Sequence, residues 1–270
     1  MVLAISASGL SLPRMLGWSI NLFRIRGITL ALHVSFLALL VYVAWEAWLE
    51  AGLEGAAWSV AMLGTFFTCV VLHELGHSFT AMHFGIGVRR ILLMPIGGMA
   101  EFESIPREPR RELLITIAGP AVNFAIAGAL WLVVGSPSHW SLSSYEADAL
   151  GFAHLLLHWN LIMGCFNLVP VFPMDGGRIF RALLATRLTY LSATFWAATV
   201  GKILAVIGAL VAVFWWEMYL TTVLFLFIFY AGEMEYRTLL RRELIEAHWR
   251  ETLAQFDAIP PAEPPLIRAD

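Results

Sequence analysis

Between residues 29 and 232 the sequence is a succession of apolar runs, most of about the twenty residues that a helix needs to cross a hydrocarbon core. Four such runs fall at roughly 29–49, 58–83, 112–134 and 150–170. A further run, 191–232, is apolar apart from Lys202 and Glu217 and is too long for one crossing. Split at Trp215-Trp216-Glu217, whose paired aromatics suit a membrane interface, it brings the expected number of spans to six. Hydrophobic residues make up 59% of the chain and charged residues 14%, against about a quarter charged in soluble domains, so the lipid bilayer is the expected surrounding.

The basic residues agree with this count. Arg14, Arg24 and Arg26, then Arg89, Arg90, Arg107, Arg110 and Arg111, then Arg178, Arg181 and Arg187, and finally Arg237, Arg241, Arg242, Arg250 and Arg268 all fall on one side of the proposed membrane. The opposite loops, around 50–57, 135–149 and 215–218, hold no Lys or Arg. By the positive-inside rule both termini face the cytoplasm. No positive charge precedes Arg14, so the first span rather than a cleaved signal peptide is expected to direct insertion. A net charge of −3 and a single lysine, Lys202, argue against a nucleic-acid partner. Cys69 and Cys165 both lie in apolar runs and imply no disulfide framework.

The expected fold is therefore an all-α integral membrane protein of six transmembrane helices. One short segment stands apart: residues 91–102 are apolar, punctuated by Pro95, Gly97 and Gly98, and too short to span, which suits a membrane-associated β-hairpin or re-entrant loop. Residues 1–235 are read as a six-span core. Residues 236–270 are read as a cytoplasmic tail that begins helical and turns Pro-rich at 259–265.

The second run contains His73-Glu74-Leu75-Gly76-His77. One helical turn puts His73 and His77 on the same face, where two imidazole nitrogens can hold one zinc ion, with Glu74 beside them as a proton acceptor. Zinc would acidify water and polarise a carbonyl, which is the chemistry of peptide hydrolysis. Three ionisable side chains in five residues are costly in hydrocarbon and need a common partner, for which a metal ion is the simplest choice. A third ligand is expected from Asp175, in the stretch Asn167 to Gly177, whose prolines and glycines break the helix. Irregular backbone at membrane depth is tolerated mainly where it lines a polar cavity. His77 lies about six residues, roughly 9 Å, from the cytoplasmic end of its helix, and Asp175 emerges on the same side.

With these residues the chain resembles the site-2 protease family of intramembrane zinc metalloproteases, peptidase family M50. The resemblance is carried by His73 to His77, by Ala118-Gly119-Pro120-Ala121-Val122-Asn123, and by Asn167 to Gly177. It implies that His73, His77 and Asp175 bind one zinc per chain, that Glu74 is the catalytic carboxylate, and that single-span membrane proteins are cut near the cytoplasmic side, as in regulated intramembrane proteolysis. Regulatory membrane proteins are candidate partners, and the compact chain suits a prokaryotic plasma membrane. No room remains for the PDZ or CBS domains of larger members, so it looks like a minimal form. Intramembrane His and Asp also mark ion pathways, which leaves a metal-ion transporter as the alternative. Glu74 separates the two readings, since transport needs no general base.

Several residues keep two readings. Asn167 suits either an oxyanion or substrate contact or the satisfaction of backbone freed where the helix ends. Asn123 suits a structural tie or an outer contact to the metal site, and His33 a place in the cavity wall. Residues 91–102 suit either capture of an unwound substrate along a strand edge or packing alone. His154 and His158 are read as packing residues in preference to a second metal pair. Lys202 either snorkels to the interface or faces water.

Overall fold

The computed structural model describes residues 18–104, 106–136, 148–214 and 218–257. Six helices carry most of them: α1 (Val34–His83), α2 (Pro109–Val134), α3 (Ala149–Asn167), α4 (Asp175–Leu184), α5 (Tyr190–Phe214) and α6 (Tyr219–Asp257). Four of these, α1, α2, α3 and α5, are long and apolar enough to cross a membrane.

Helix α1 has 50 residues and would measure about 75 Å if straight, more than twice the thickness of a hydrocarbon core. It is broken at Ala51 and Gly52, where Gly52 adopts φ +65° and ψ −154°, a conformation essentially confined to glycine. The chain folds back there. The rings of Phe36 and Phe67, which a continuous helix would hold about 46 Å apart, meet edge to face with centroids at 4.5 Å. Leu39 and Leu40 from one limb join Leu63 and Phe66 from the other in the same apolar cluster. The first two expected runs thus become two limbs, 34–50 and 53–83, with a reversal shorter than the 50–57 loop read from the sequence.

The all-α expectation needs correction, because the chain also builds a four-stranded sheet in the order β1-β2-β3-β4. Strands β1 (Ser19–Ile25) and β2 (Ile28–His33) are antiparallel around Arg26-Gly27, whose φ values of 48° and 93° are both positive, as a two-residue hairpin of type I′ requires. Strands β3 (Val88–Met94) and β4 (Gly97–Phe102) form the second hairpin, at the segment expected to do so. Strand β2 runs parallel to β3, from Thr29 opposite Arg90 to Leu32 opposite Leu93, with α1 as the long connection that parallel pairing demands. The first apolar run therefore begins as strand, and helix starts only at Val34. A short, largely apolar stretch such as Ile28–His33 reads alike as strand or helix; pairing with β3 decides between them.

One face of the sheet, with Leu30, Ile91, Leu93, Ala100 and Phe102, packs against Phe67, Val70 and Leu75 of α1. Sheet and second limb form one body. At the other end of the chain α5 and α6 pack along each other, and Lys202 Nζ donates to Glu233 Oε2 at 2.8 Å. This contact ties α5 to α6. The expected split at Trp215-Trp216-Glu217 and the Pro-rich stretch from 259 lie outside the described residues.

Candidate metal centre

Local periodicity brings His73 and His77 together on α1, and their Nε2 atoms stand 3.1 Å apart. Asp175, the first residue of α4, places Oδ2 3.2 Å from each of them. Among the described residues this is the one cluster of three or more metal-ligating side chains. Ligand atoms bound tetrahedrally at about 2.0–2.1 Å from zinc would be separated by about 3.3 Å, so the spacing fits that ion. None of His73, Glu74, His77 and Asp175 is more than 6% exposed.

The rings are held so that both Nε2 atoms are bare. His77 donates from Nδ1 to the carbonyl of Ile115 at 2.8 Å, and His73 from Nδ1 to Oδ1 of Asn123 at 2.5 Å. With the proton fixed on Nδ1, each Nε2 presents a lone pair, and Asp175 Oδ2 makes no hydrogen bond of its own. Three electron-rich atoms converge in a buried space with no donor between them. That arrangement calls for a cation.

Glycines let the backbone approach this point. A Cβ on Gly76 would lie 2.7 Å from the carbonyl oxygen of Ala118, so α1 and α2 touch there. The next residue of α2, Gly119, faces the ligands: a Cβ on it would lie 2.8 Å from His73 Nε2 and closer still to His77 Nε2. Gly176 and Gly177 let the first turn of α4 sit against the backbone of Leu168, Val169 and Val171, which sets the position of Asp175. On the sheet side, a Cβ on Gly98 of β4 would lie 2.6 Å from Glu74 Cγ. The Glu74 carboxylate is thus roofed by the backbone of an outer strand. A pocket extends from His77 and Asp175 toward Ser104, Pro106, Glu112, Thr116 and Arg178.

The other residues singled out from the sequence divide. Asn123 joins the site through His73. Asn167 donates from Nδ2 to the carbonyl of Met163, one turn back in α3, at 2.9 Å. His33 caps α1, its Nδ1 accepting from the backbone of Ser35 at 3.2 Å, and is not among the converging ligands. His154 and His158 likewise form no such cluster among the described residues. Two features were missed. Asn160, an amide in the middle of apolar helix α3, contacts Asn123; a polar residue at membrane depth was signal enough to mark it. The second is a buried ion cluster at Arg181, whose partner Glu112 lies too far away in sequence for any local pattern to pair them.

Two imidazoles one turn apart, a carboxylate from the start of α4 and a buried acid beside them make a candidate metal centre, of the kind that metal-dependent hydrolases use, within a helical, membrane-type fold. The chain belongs to peptidase family M50, whose family model matches residues 61–143 and 139–213. It is 40% identical over 222 residues to a zinc metalloprotease of Methanocaldococcus jannaschii, covering 82% of this chain and 62% of that protein. Stage IV sporulation protein FB of Bacillus subtilis is 28% identical over 155 residues, covering 57% of this chain and 51% of that one. The chain thus spans less than two thirds of the length of these two relatives. Among solved structures, the site-2 protease from Methanocaldococcus jannaschii matches with a TM-score of 0.57 and 37% identity, covering 81% of this chain and 95% of that one.

Proposed function

We propose that the chain is an intramembrane zinc metalloprotease that hydrolyses peptide bonds of single-span membrane proteins near the cytoplasmic side of the bilayer. The observation that carries this reading is the convergence of His73, His77 and Asp175 at 3.1–3.2 Å beside buried Glu74. Zinc at that point supplies Lewis acidity toward a carbonyl and toward water. Glu74 takes the proton from the attacking water and passes it to the leaving amine. Asn123 and the Ile115 carbonyl keep the two imidazoles in the ligating tautomer. Outer strand β4, packed on Glu74 through Gly98, suits a substrate segment unwound into extended form, because pairing with a strand exposes a peptide bond that a helix would hide.

The apolar limbs support six spans: two in α1, then α2, α3, α5 and the first half of α6. The distribution of arginines supports cytoplasmic termini, and a plasma-membrane location is part of the same reading. Residues 1–235 form the catalytic core in this reading, and 236–270 the cytoplasmic tail. Ion transport, the alternative left open by the sequence, gains no support from the relatives or from the site.

The test is cleavage of a panel of single-span substrates by the purified protein in detergent. Wild type is expected to cut within the span. Glu74→Gln is expected to lose about 10²–10⁴-fold in rate while keeping its metal, and a chelator to silence the wild type. Undiminished cutting by Glu74→Gln would sink the proposal.

A further inference from the structure

Behind His73 runs a chain of buried amides of which the proposed mechanism uses only the first, Asn123. Asn123 and Asn160 are at most 1% exposed. The order of atoms along the chain follows from its far end. The carbonyl of Leu156 can only accept, so the atom of Asn160 that lies 2.9 Å from it is Nδ2. Asn160 Oδ1 then faces Asn123 at 3.0 Å, where it must receive a proton from Asn123 Nδ2. That leaves Asn123 Oδ1 facing His73 Nδ1 at 2.5 Å, an acceptor that places the imidazole proton on Nδ1 and bares Nε2. Cys69 Sγ, 3.4 Å from Asn160 Nδ2, is a weaker second acceptor at the same end. One backbone carbonyl, Ile115, orients His77 directly; another, Leu156, orients His73 through two side-chain amides.

The reverse order of atoms has a consequence. If Asn123 turned its amide over, Nδ2 would donate to His73 Nδ1 and the ring proton would move to Nε2. There it would point at Asp175 Oδ2, 3.2 Å away, and the site would close on itself without a metal. We infer that Asn160 on α3, which touches none of the three ligands, is a positioning residue that holds His73 in its metal-binding tautomer by fixing the orientation of Asn123. The inference rests on the zinc reading of the site.

Zinc affinity, measured in detergent by competition with a chromogenic chelator, separates the two. Wild type is expected to bind one zinc per chain; absence of stoichiometric zinc overturns the metal reading and this inference with it. Given zinc binding, Asn160→Leu is expected to weaken it about tenfold, at the low end of what outer contacts to a ligand contribute. Asn160→Asp, whose protonated carboxyl keeps one donor for the Leu156 carbonyl and one acceptor for Asn123, is expected to stay within about threefold of wild type. Cys69→Ala is expected to leave affinity unchanged, because the Leu156 carbonyl still orients Asn160. Asn123→Leu combined with Asn160→Leu is expected to bind no more weakly than Asn123→Leu alone.

Should Asn160→Leu not fold, Asn160→Ala carries the same comparison. In the metal-free protein, ¹⁵N shifts of the His73 ring give a readout apart from affinity, with a protonated Nδ1 expected in wild type and a mixture of tautomers in the apolar variant. Unchanged zinc affinity in a folded apolar variant, or multiplicative losses in the double variant, would overturn the inference.

Discussion

Of the three buried charged residues of helix α4, Asp175, Arg178 and Arg181, the first and the last end in opposite situations. Asp175, at its start, meets two bare imidazole nitrogens, and its Oδ2 has no hydrogen-bond donor among the described residues. Arg181, near its end, sits among groups already matched to it. Its guanidinium pairs with Glu112 of α2, donates to Glu235 of α6 at 2.8 Å, and lies over the rings of Phe172 at 5.3 Å and Tyr190 at 5.0 Å. Each cluster joins elements distant in sequence, and each buries groups that hydrocarbon would reject alone. The cluster at Arg181 contains its own cation and is a closed tie among α2, α4, α5 and α6. At Asp175 the cation is left to come from outside, and a binding site results.

That contrast can be tested from both ends. The largest effect is expected from Gly119→Ala, because the added methyl would occupy the space between the ligands. Bound zinc should fall from one per chain to nearly none and proteolysis should cease, while circular dichroism stays that of the wild type. Metal analysis beside the spectrum checks this. If Gly119→Ala keeps a full complement of zinc, the ligands do not meet at that point.

Arg181→Met should act the other way round, leaving the metal ligands intact and Glu112 buried without its cation. Breaking a buried pair from one side costs about 3–5 kcal/mol, to be read from unfolding in detergent mixtures, with zinc stoichiometry in the folded fraction unchanged. The double variant Arg181→Met with Glu112→Leu should regain most of that loss, because it leaves no charge stranded at Glu112. Failure to recover would mean that the cluster supplies more than charge balance.

The smallest effect is expected from Arg107→Ala. Arg107 pairs with Glu243 at 3.2 Å and Glu246 at 2.8 Å where the segment between β4 and α2 meets the far end of α6. These side chains are half-exposed, and such pairs contribute about 0–1 kcal/mol. A larger loss of stability would show that the tail helix braces the pocket wall near Ser104 and Pro106.

The sequence by itself determined the apolar runs and the pairing of His73 with His77, and marked 91–102 as a hairpin or re-entrant loop, because each depends on a short-range rule: run length, helical periodicity, turn residues. It also marked Asp175 as a candidate, through the break in helix at membrane depth. Only the tertiary structure decided that residues 28–33 are strand, since that rests on pairing with β3 across the whole of α1. It decided too that Gly119 faces both imidazoles and that Asn160 reaches His73 through Asn123. It also decided that Glu112, rather than any nearer acid, neutralises Arg181. Whether a buried charge becomes a tie or a site depends on what other segments bring to it, and that is a matter of packing between helices, which no local pattern encodes.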